Sequence, residues 1–276
     1  MNDDLALLAT AKLAAEAGAE VLLANEIMLG AARPPFDRKK SAIDLVTAVD
    51  RASERAVVEA LRSTGVTIVA EEGSKVEGSG DAVFFVDPLD GTTNFAHGHP
   101  FHCVSIGLWR AGRPVLGVIA APMLGVVWSG GPGLGAIRED RLRNVRADLA
   151  VSVVDDASDA LFATGFPWDR RTNDDDNTSA HRAMLKLGQG VMRCGSAALD
   201  MALVADGTYE AFWERKLAPW DTTAGAALVL AAGGRVSGVR GEHFDPTKGH
   251  VIASNGRIHD AVIATLAPHV PAKEPG

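Results

Sequence analysis

"AVFFVDPLDGTT", residues 82–93, sets Asp87 and Asp90 three apart in one turn, locked by Pro88 and followed by Gly91, Thr92 and Thr93. The turn follows Ala82–Val86, a continuous apolar run rich in β-branched and aromatic side chains, which predicts a buried strand. Both carboxylates therefore belong at the end of a core strand. Like charges held there repel unless a cation or a proton lies between them. A solvated loop would carry the pair at little cost, but the apolar run upstream argues against one. The expectation is a strand whose carboxyl end presents acids to something positive.

The rest of the chain narrows what that something is. At 276 residues there is room for one large domain or two fused subdomains. Hydrophobic residues make up 47% and charged residues 22%, an ordinary globular composition with material for a core. The formal net charge of -8 argues against a nucleic-acid binder held by phosphate contacts. It leaves an acidic substrate open, because bound cations supply positive charge locally. Cys103 and Cys194 are the only cysteines, without metal-ligand spacing, so a reduced compartment and no disulfide framework are expected. The N-terminal stretch keeps charges among its apolar residues, which predicts an amphipathic helix and not a signal peptide. No run approaches the ~18 apolar residues of a membrane span, and a cytoplasmic location is expected.

Apolar residues at helical spacing predict a helix from residue 4 to about 30. "AARPPFDRKKSA" (31–42) reads as a loop, and the next segment as a short strand-like piece and a second helix. "VTIVAEEG" (66–73) reads as a strand ending on Glu71 and Glu72. From Cys103 to Arg138, β-rich runs alternate with Gly and Pro turns, which predicts an antiparallel meander. Residues 160–166, 209–214 and 250–255 read as strands; residues 181–187, 195–207 and 221–234 read as helices. The charged "DRRTNDDDN" (169–177) is expected to be an exposed loop between halves that meet near residue 140. Layered elements with antiparallel strands give an α+β or mixed α/β architecture.

Two more acid-bearing ends join the first. Glu71 and Glu72 close a strand, and Asp221 in "PWDTTAG" (219–225) directly precedes a predicted helix. Alone, Asp221 is equally well an N-cap, and a paired glutamate is more often surface than ligand. Together the three ends form an oxygen-rich set suited to hard cations such as Mg²⁺. If a helix starts at Gly91–Thr93, its backbone N–H groups form an anion site beside those acids. Cations and phosphate side by side point to phosphoryl chemistry, with the Thr92 hydroxyl available to orient or deprotonate a water.

"AEEG", "DPLDGTTNF" and "PWDTTAG", in that order and at these separations, resemble the inositol monophosphatase family over roughly residues 5–265. The resemblance implies a layered αβαβα sandwich of the inositol monophosphatase and fructose-1,6-bisphosphatase type. It implies one phosphatase domain, 1–276, with subdomains of about 1–140 and 141–276. It also implies a Mg²⁺-dependent, lithium-sensitive phosphomonoesterase holding two to three Mg²⁺ ions. The metal ligands would be Glu71, Asp87, the Leu89 carbonyl, Asp90 and Asp221. Thr92, paired with Asp50, would act on the attacking water, and Glu71 would help activate it through the metal. Phosphate would meet the backbone of Gly91, Thr92 and Thr93. The alcohol would contact Gly195, Ser196, Ala197 and Glu214, with Lys39 also aligned near the site (Lys40 beside it leaves a one-residue ambiguity).

Two departures stand out. Ala70 and Gly73 flank the paired glutamates where the family has Gly and then Ser or Thr, which bears on a third, weakly held metal. Arg215 and Lys216 beside Glu214 suggest a different or more anionic substrate.

Other motifs carry less. His97, His99 and His102 lack the Cys or acid that would complete a zinc site and read as a packed or solvent-facing cluster. "NDDDN" reads as a solvated loop. "GPGLGAIRED" (131–140) lacks the strand–loop–helix order of a dinucleotide site. Phe212 and Trp213 read as core.

The substrate expected is a small polyol phosphate, myo-inositol 1-phosphate first. Histidinol phosphate, fructose 1,6-bisphosphate and adenosine 3′,5′-bisphosphate, taken by relatives, are the alternatives. A rival of another class is a regulatory, partner-binding protein with little turnover. A metal-storage or structural module would leave the phosphate-binding helix start unexplained. The partners expected are a small phosphorylated substrate and a second copy of the chain, with neither direct nucleic-acid nor membrane contact.

Overall fold

The computed structural model describes residues 2–28, 36–38 and 45–270. Helix α1 (Asn2–Met28) is followed by a small antiparallel pair, β1 (Phe36–Arg38) and β2 (Leu45–Thr47), and then by α2 (Ala48–Leu61). Phe36–Arg38 falls inside a stretch expected to be loop. It is a strand because Leu45–Thr47, the strand-like piece, pairs with it residue for residue.

An eight-stranded sheet comes next. It holds β3 (Thr67–Ala70), β4 (Lys75–Val76), β5 (Val83–Asp90), β6 (Cys103–Arg110), β7 (Arg113–Ala121), β8 (Val126–Gly131), β9 (Gly135–Asp140) and β10 (Val145–Asp148). Its order is β10-β9-β8-β7-β6-β5-β3-β4, antiparallel except for the parallel β3–β5 pair. The β6–β7 hairpin turns on Ala111 and Gly112, both at positive φ (51° and 73°). That conformation matches the right-handed twist of the flanking strands. Short helix α3 (Thr92–Ala96) joins β5 to β6.

The second half contributes β11 (Leu161–Thr164), α4 (Thr178–Leu187), β12 (Gly190–Met192), α5 (Ala197–Ala205), β13 (Ala211–Arg215), α6 (Pro219–Ala231), β14 (Arg235–Ser237), β15 (His250–Ser254) and α7 (His259–Leu266). Its five strands run in the order β12-β11-β13-β15-β14. The chain changes sheet between Asp148 and Leu161.

Helices α1 and α2 cover one face of the large sheet. Helices α5 and α6 fill the space between the sheets, and α4 and α7 cover the outer face of the small one. The five layers are those of an αβαβα sandwich. Strands β6 to β8 are buried on both faces, which is why they read as apolar runs instead of alternating.

Glycine sets how closely the layers approach. Gly107 on β6 and Gly117 on β7 are cross-strand partners. A Cβ on Gly117 would lie 2.2 Å from the Ala224 carbonyl oxygen of α6, and one on Gly107 2.5 Å from the Ala224 nitrogen. Helix α6 thus rests on bare backbone. Gly225, on the same helix, does the same toward Met201 of α5.

Candidate active site at the strand and helix ends

Strand β5 is buried from Val86 to Leu89, and its register with β6 shifts between Asp87 and Asp90. That irregularity falls between the two aspartates, at the end of the strand. Asp87 is buried; its Oδ1 accepts the Leu89 N–H at 2.9 Å. Asp90 accepts the Ser196 hydroxyl and the Ala198 N–H through Oδ2, each at 2.7 Å. Ser196 caps α5, so a carboxylate of the first half sits on the N-terminus of a helix from the second.

Asp221 was expected just ahead of α6. It lies instead at the third helical position, because Pro219 opens the helix and needs no N–H there. From that position its Oδ2 reaches back to the Ala218 N–H at 2.7 Å. Glu71 is the first residue after β3, with its N–H on the Val86 carbonyl at 3.1 Å.

These acids feel one another. Asp87 is raised well above the usual carboxylate range by desolvation, and by Glu71, Asp90 and Asp221. Asp221 is raised likewise by desolvation, then by Glu71 and Asp90. Desolvation lifts Asp90 to about 6 against the opposing pull of Ser196 and the α5 amides. Among the described residues no three His, Cys, Asp or Glu close into a chelating cage. One oxygen each of Asp87, Asp90 and Asp221 is held by a hydrogen bond within the chain. The donors are all oxygen, and their mutual repulsion is what a hard divalent cation would relieve, so the residues fit Mg²⁺.

Helix α2 supports this arrangement with a polar stripe on its buried face, Asp50, Ser53 and Glu54. Ser53 donates to the Pro88 carbonyl at 2.9 Å. Glu54 accepts the Glu72 N–H at 2.7 Å and the Ser74 N–H at 3.2 Å, tying down the turn that carries Glu71. Sequence reasoning found Asp50 and overlooked the other two. The signal was present: polar residues three and four positions on from Asp50 share its helix face.

Thr92 donates its hydroxyl to the Leu89 carbonyl at 3.1 Å. Gly91 has φ of 94°, and a Cβ on it would lie 3.0 Å from the Phe101 carbonyl oxygen, so the turn requires glycine. Thr93 is exposed on the first turn of α3. Asn94, also overlooked, donates to the carbonyls of Phe101 at 2.6 Å and Cys194 at 2.8 Å, joining α3 to the Gly195 loop. Lys39 and Lys40 lie outside the described residues.

A cleft of ≈ 140 Å³ opens beside Asp90 and Asp221, lined also by Gly165, Arg193, Gly195, Ser196, Ala197, Asp200, Glu214 and Leu217. Glu214 is pushed up to about 8 by desolvation, with Arg193 and Arg170 opposing and Asp90 reinforcing. Gly165 leaves room for its carboxylate, which a Cβ there would meet at 2.1 Å.

Arg215 and Lys216 do not line the cleft, contrary to the expectation that they tune the substrate. Lys216 binds Asp169 at 2.8 Å and Arg215 pairs with Asp175. The acidic loop is therefore clasped and not freely solvated. Asn177 closes the clasp, bonded to Thr164 at 2.9 Å and to the Trp213 indole at 3.0 Å. Of the three histidines, His97 and His99 are exposed, while His102 is buried edge-on against Phe95.

The sequence profile of the "Inositol monophosphatase family" matches residues 6–271. The chain belongs to the inositol monophosphatase family. It is 43% identical over 242 residues to "Nus factor SuhB" of Pseudomonas aeruginosa, covering 84% of this chain and 86% of that protein. It is 38% identical over 236 residues to "Inositol-1-monophosphatase" of Synechocystis sp., covering 84% and 80%. The solved inositol monophosphatase of Anabaena (Nostoc) sp. PCC 7120 superimposes with a TM-score of 0.84 at 37% identity, covering 97% and 98% of the two chains. The sandwich is thus the fold of the inositol monophosphatases. No described helix is long and apolar enough to cross a membrane.

Proposed function

We propose that the chain is a Mg²⁺-dependent phosphomonoesterase acting on a small polyol phosphate, with myo-inositol 1-phosphate as the first candidate. The observation that carries this reading is the approach of Glu71, Asp90 and Asp221 to buried Asp87, whose carboxyl all three raise, with Asp90 and Asp221 lining the Glu214 cleft. Buried like charges are costly to hold together. A chain that keeps them gains if a cation is its working partner.

In this reading Glu71, Asp87, the Leu89 carbonyl, Asp90 and Asp221 would hold two to three Mg²⁺ ions. When bound, Mg²⁺ supplies Lewis-acid stabilisation of the charge that develops on the phosphoryl oxygens. Gly91, Thr92 and Thr93 turn backbone N–H groups toward the phosphate. The Thr92 hydroxyl orients the attacking water, and Asp50 takes up the proton. Gly195, Ser196, Ala197 and Glu214 receive the alcohol. Loss of one acid costs several kcal/mol of transition-state stabilisation.

The test is phosphate release from myo-inositol 1-phosphate, histidinol phosphate, fructose 1,6-bisphosphate and adenosine 3′,5′-bisphosphate, with Mg²⁺ and again with EDTA. Mg²⁺-dependent preference for one ester, lost in Asp90→Asn, is expected; full activity of Asp90→Asn would sink the proposal. The similarity to a protein named Nus factor supports a second reading, a partner-binding regulator. It predicts no turnover across the panel and a protein partner retained by both wild type and Asp90→Asn.

A further inference from the structure

We propose that Asp200 is a specificity-determining residue of the cleft, accepting a hydrogen bond from a hydroxyl of a neutral polyol. The inference rests on the phosphomonoesterase reading and extends it to a residue that reading does not use. Asp200 sits in the first turns of α5 and is 1% exposed. It lines the cleft, yet its Oδ1 is buried without a hydrogen-bond partner among the described residues. Nearly every buried carboxylate oxygen in a folded protein is satisfied, so an orphan beside a cleft calls for a cause. Leaving such an acceptor unpaired destabilises the fold, and a ligand hydroxyl would remove that deficit.

The surroundings define the chemistry. Glu214 and Arg193 line the same cleft; the charge of Glu214 acts on Asp200, and that of Arg193 acts on both acids. Arg170 approaches Glu214 as well. Burial raises both acids toward their neutral forms, and two guanidinium groups stand near them, so the wall carries little fixed negative charge and is rich in hydrogen-bonding groups. A neutral polyhydroxy alcohol satisfies Asp200 and Glu214 together through hydroxyl donors. An aliphatic alcohol would leave Asp200 as it is, and a cationic one would meet Arg193 and Arg170. A site built around hydroxyls discriminates strongly against an analogue that lacks them.

The test compares myo-inositol 1-phosphate with propyl phosphate in wild type, Asp200→Asn and Asp200→Leu. The wild type is expected to prefer the polyol ester in kcat/KM by about a hundred-fold. In Asp200→Leu the preference should fall at least about ten-fold, mainly through KM, with a smaller fall in Asp200→Asn. Both variants should keep or raise Tm, because each removes a carboxyl group whose burial is costly and whose Oδ1 is unpaired. An unchanged preference, or a drop in Tm with both esters impaired alike, would overturn the proposal. Calorimetric binding of the two esters in EDTA separates this outcome from failure of the phosphatase reading. Stronger binding of the polyol ester, weakened in Asp200→Leu, upholds the Asp200 assignment even if no ester turns over. Equal binding of the two esters by wild type refutes it.

Discussion

Gly117→Ala tests whether the two sheet glycines position Asp221. The added Cβ would lie 2.2 Å from the Ala224 carbonyl oxygen and 2.8 Å from its Cα. Ordinary non-bonded contact is about 3.5 Å, so α6 must back away by roughly an ångström or the strand must yield. Asp221 lies three residues before Ala224 on the same rigid helix, about 4.5 Å along its axis, and moves with it. Overpacking of this kind costs about 1–3 kcal/mol, which for a chain of this size lowers Tm by on the order of 5 °C. A displacement of one ångström at an acid of the site costs about 10²-fold in activity. Urea unfolding gives the first number; phosphate release against Mg²⁺ concentration gives the second, with half-saturation expected to rise. Gly133→Ala is the control: its φ is +78° and nothing lies within 4 Å of its Cβ. It should lose about 1 kcal/mol to backbone strain and leave half-saturation alone. If Gly117→Ala loses stability while Mg²⁺ half-saturation and activity stay at wild-type values, the glycine pair does not position Asp221.

Three further outcomes follow from the same geometry. Glu54→Ala leaves the Glu72 and Ser74 N–H groups without their buried acceptor; it should cost about 1–3 kcal/mol and raise Mg²⁺ half-saturation, read in urea unfolding and in activity titrations. His259 is held neutral between the hydroxyls of Ser254 (2.7 Å) and Ser237 (2.8 Å), and desolvation lowers it from 6.5 to about 4. Its contribution is therefore present above pH 6.5 and lost as pH falls toward 4, on the order of 3 kcal/mol; in Tm measured against pH, His259→Gln should flatten that acid limb. Mg²⁺ should raise Tm and EDTA should reverse the rise, because a cation bound only by the folded acid cluster stabilises by mass action; a Tm indifferent to Mg²⁺ at millimolar concentration would contradict the metal assignment.

Much of this protein was legible along the chain because its deciding features are local. The apolar run before Asp87, the glycine and threonines after Asp90, and the β-rich runs from Cys103 onward each report a neighbourhood a few residues long. Helix α7 and strands β12 and β14 went unread: each strand has only three residues, too few to establish a period. Asp221 was read one turn out of place, since Asp ahead of a helix and Asp reaching back from its third position look alike in sequence. Phe36–Arg38 became a strand only through a partner several residues on.

The sequence by itself determined that acids end a buried strand, that two more acid-bearing ends exist, and which family their order resembles. Tertiary structure alone decided that Asp90 caps a helix more than a hundred residues away, and that Glu54 and Asn94 brace the loops around it. It also turned Arg215 and Lys216 away from the cleft and left Asp200 beside it with an oxygen unpaired. The physical reason is the range of the forces involved. Strand and helix periodicity is written in nearest neighbours, whereas desolvation and charge repulsion depend on what the fold brings within a few ångströms from distant parts of the chain.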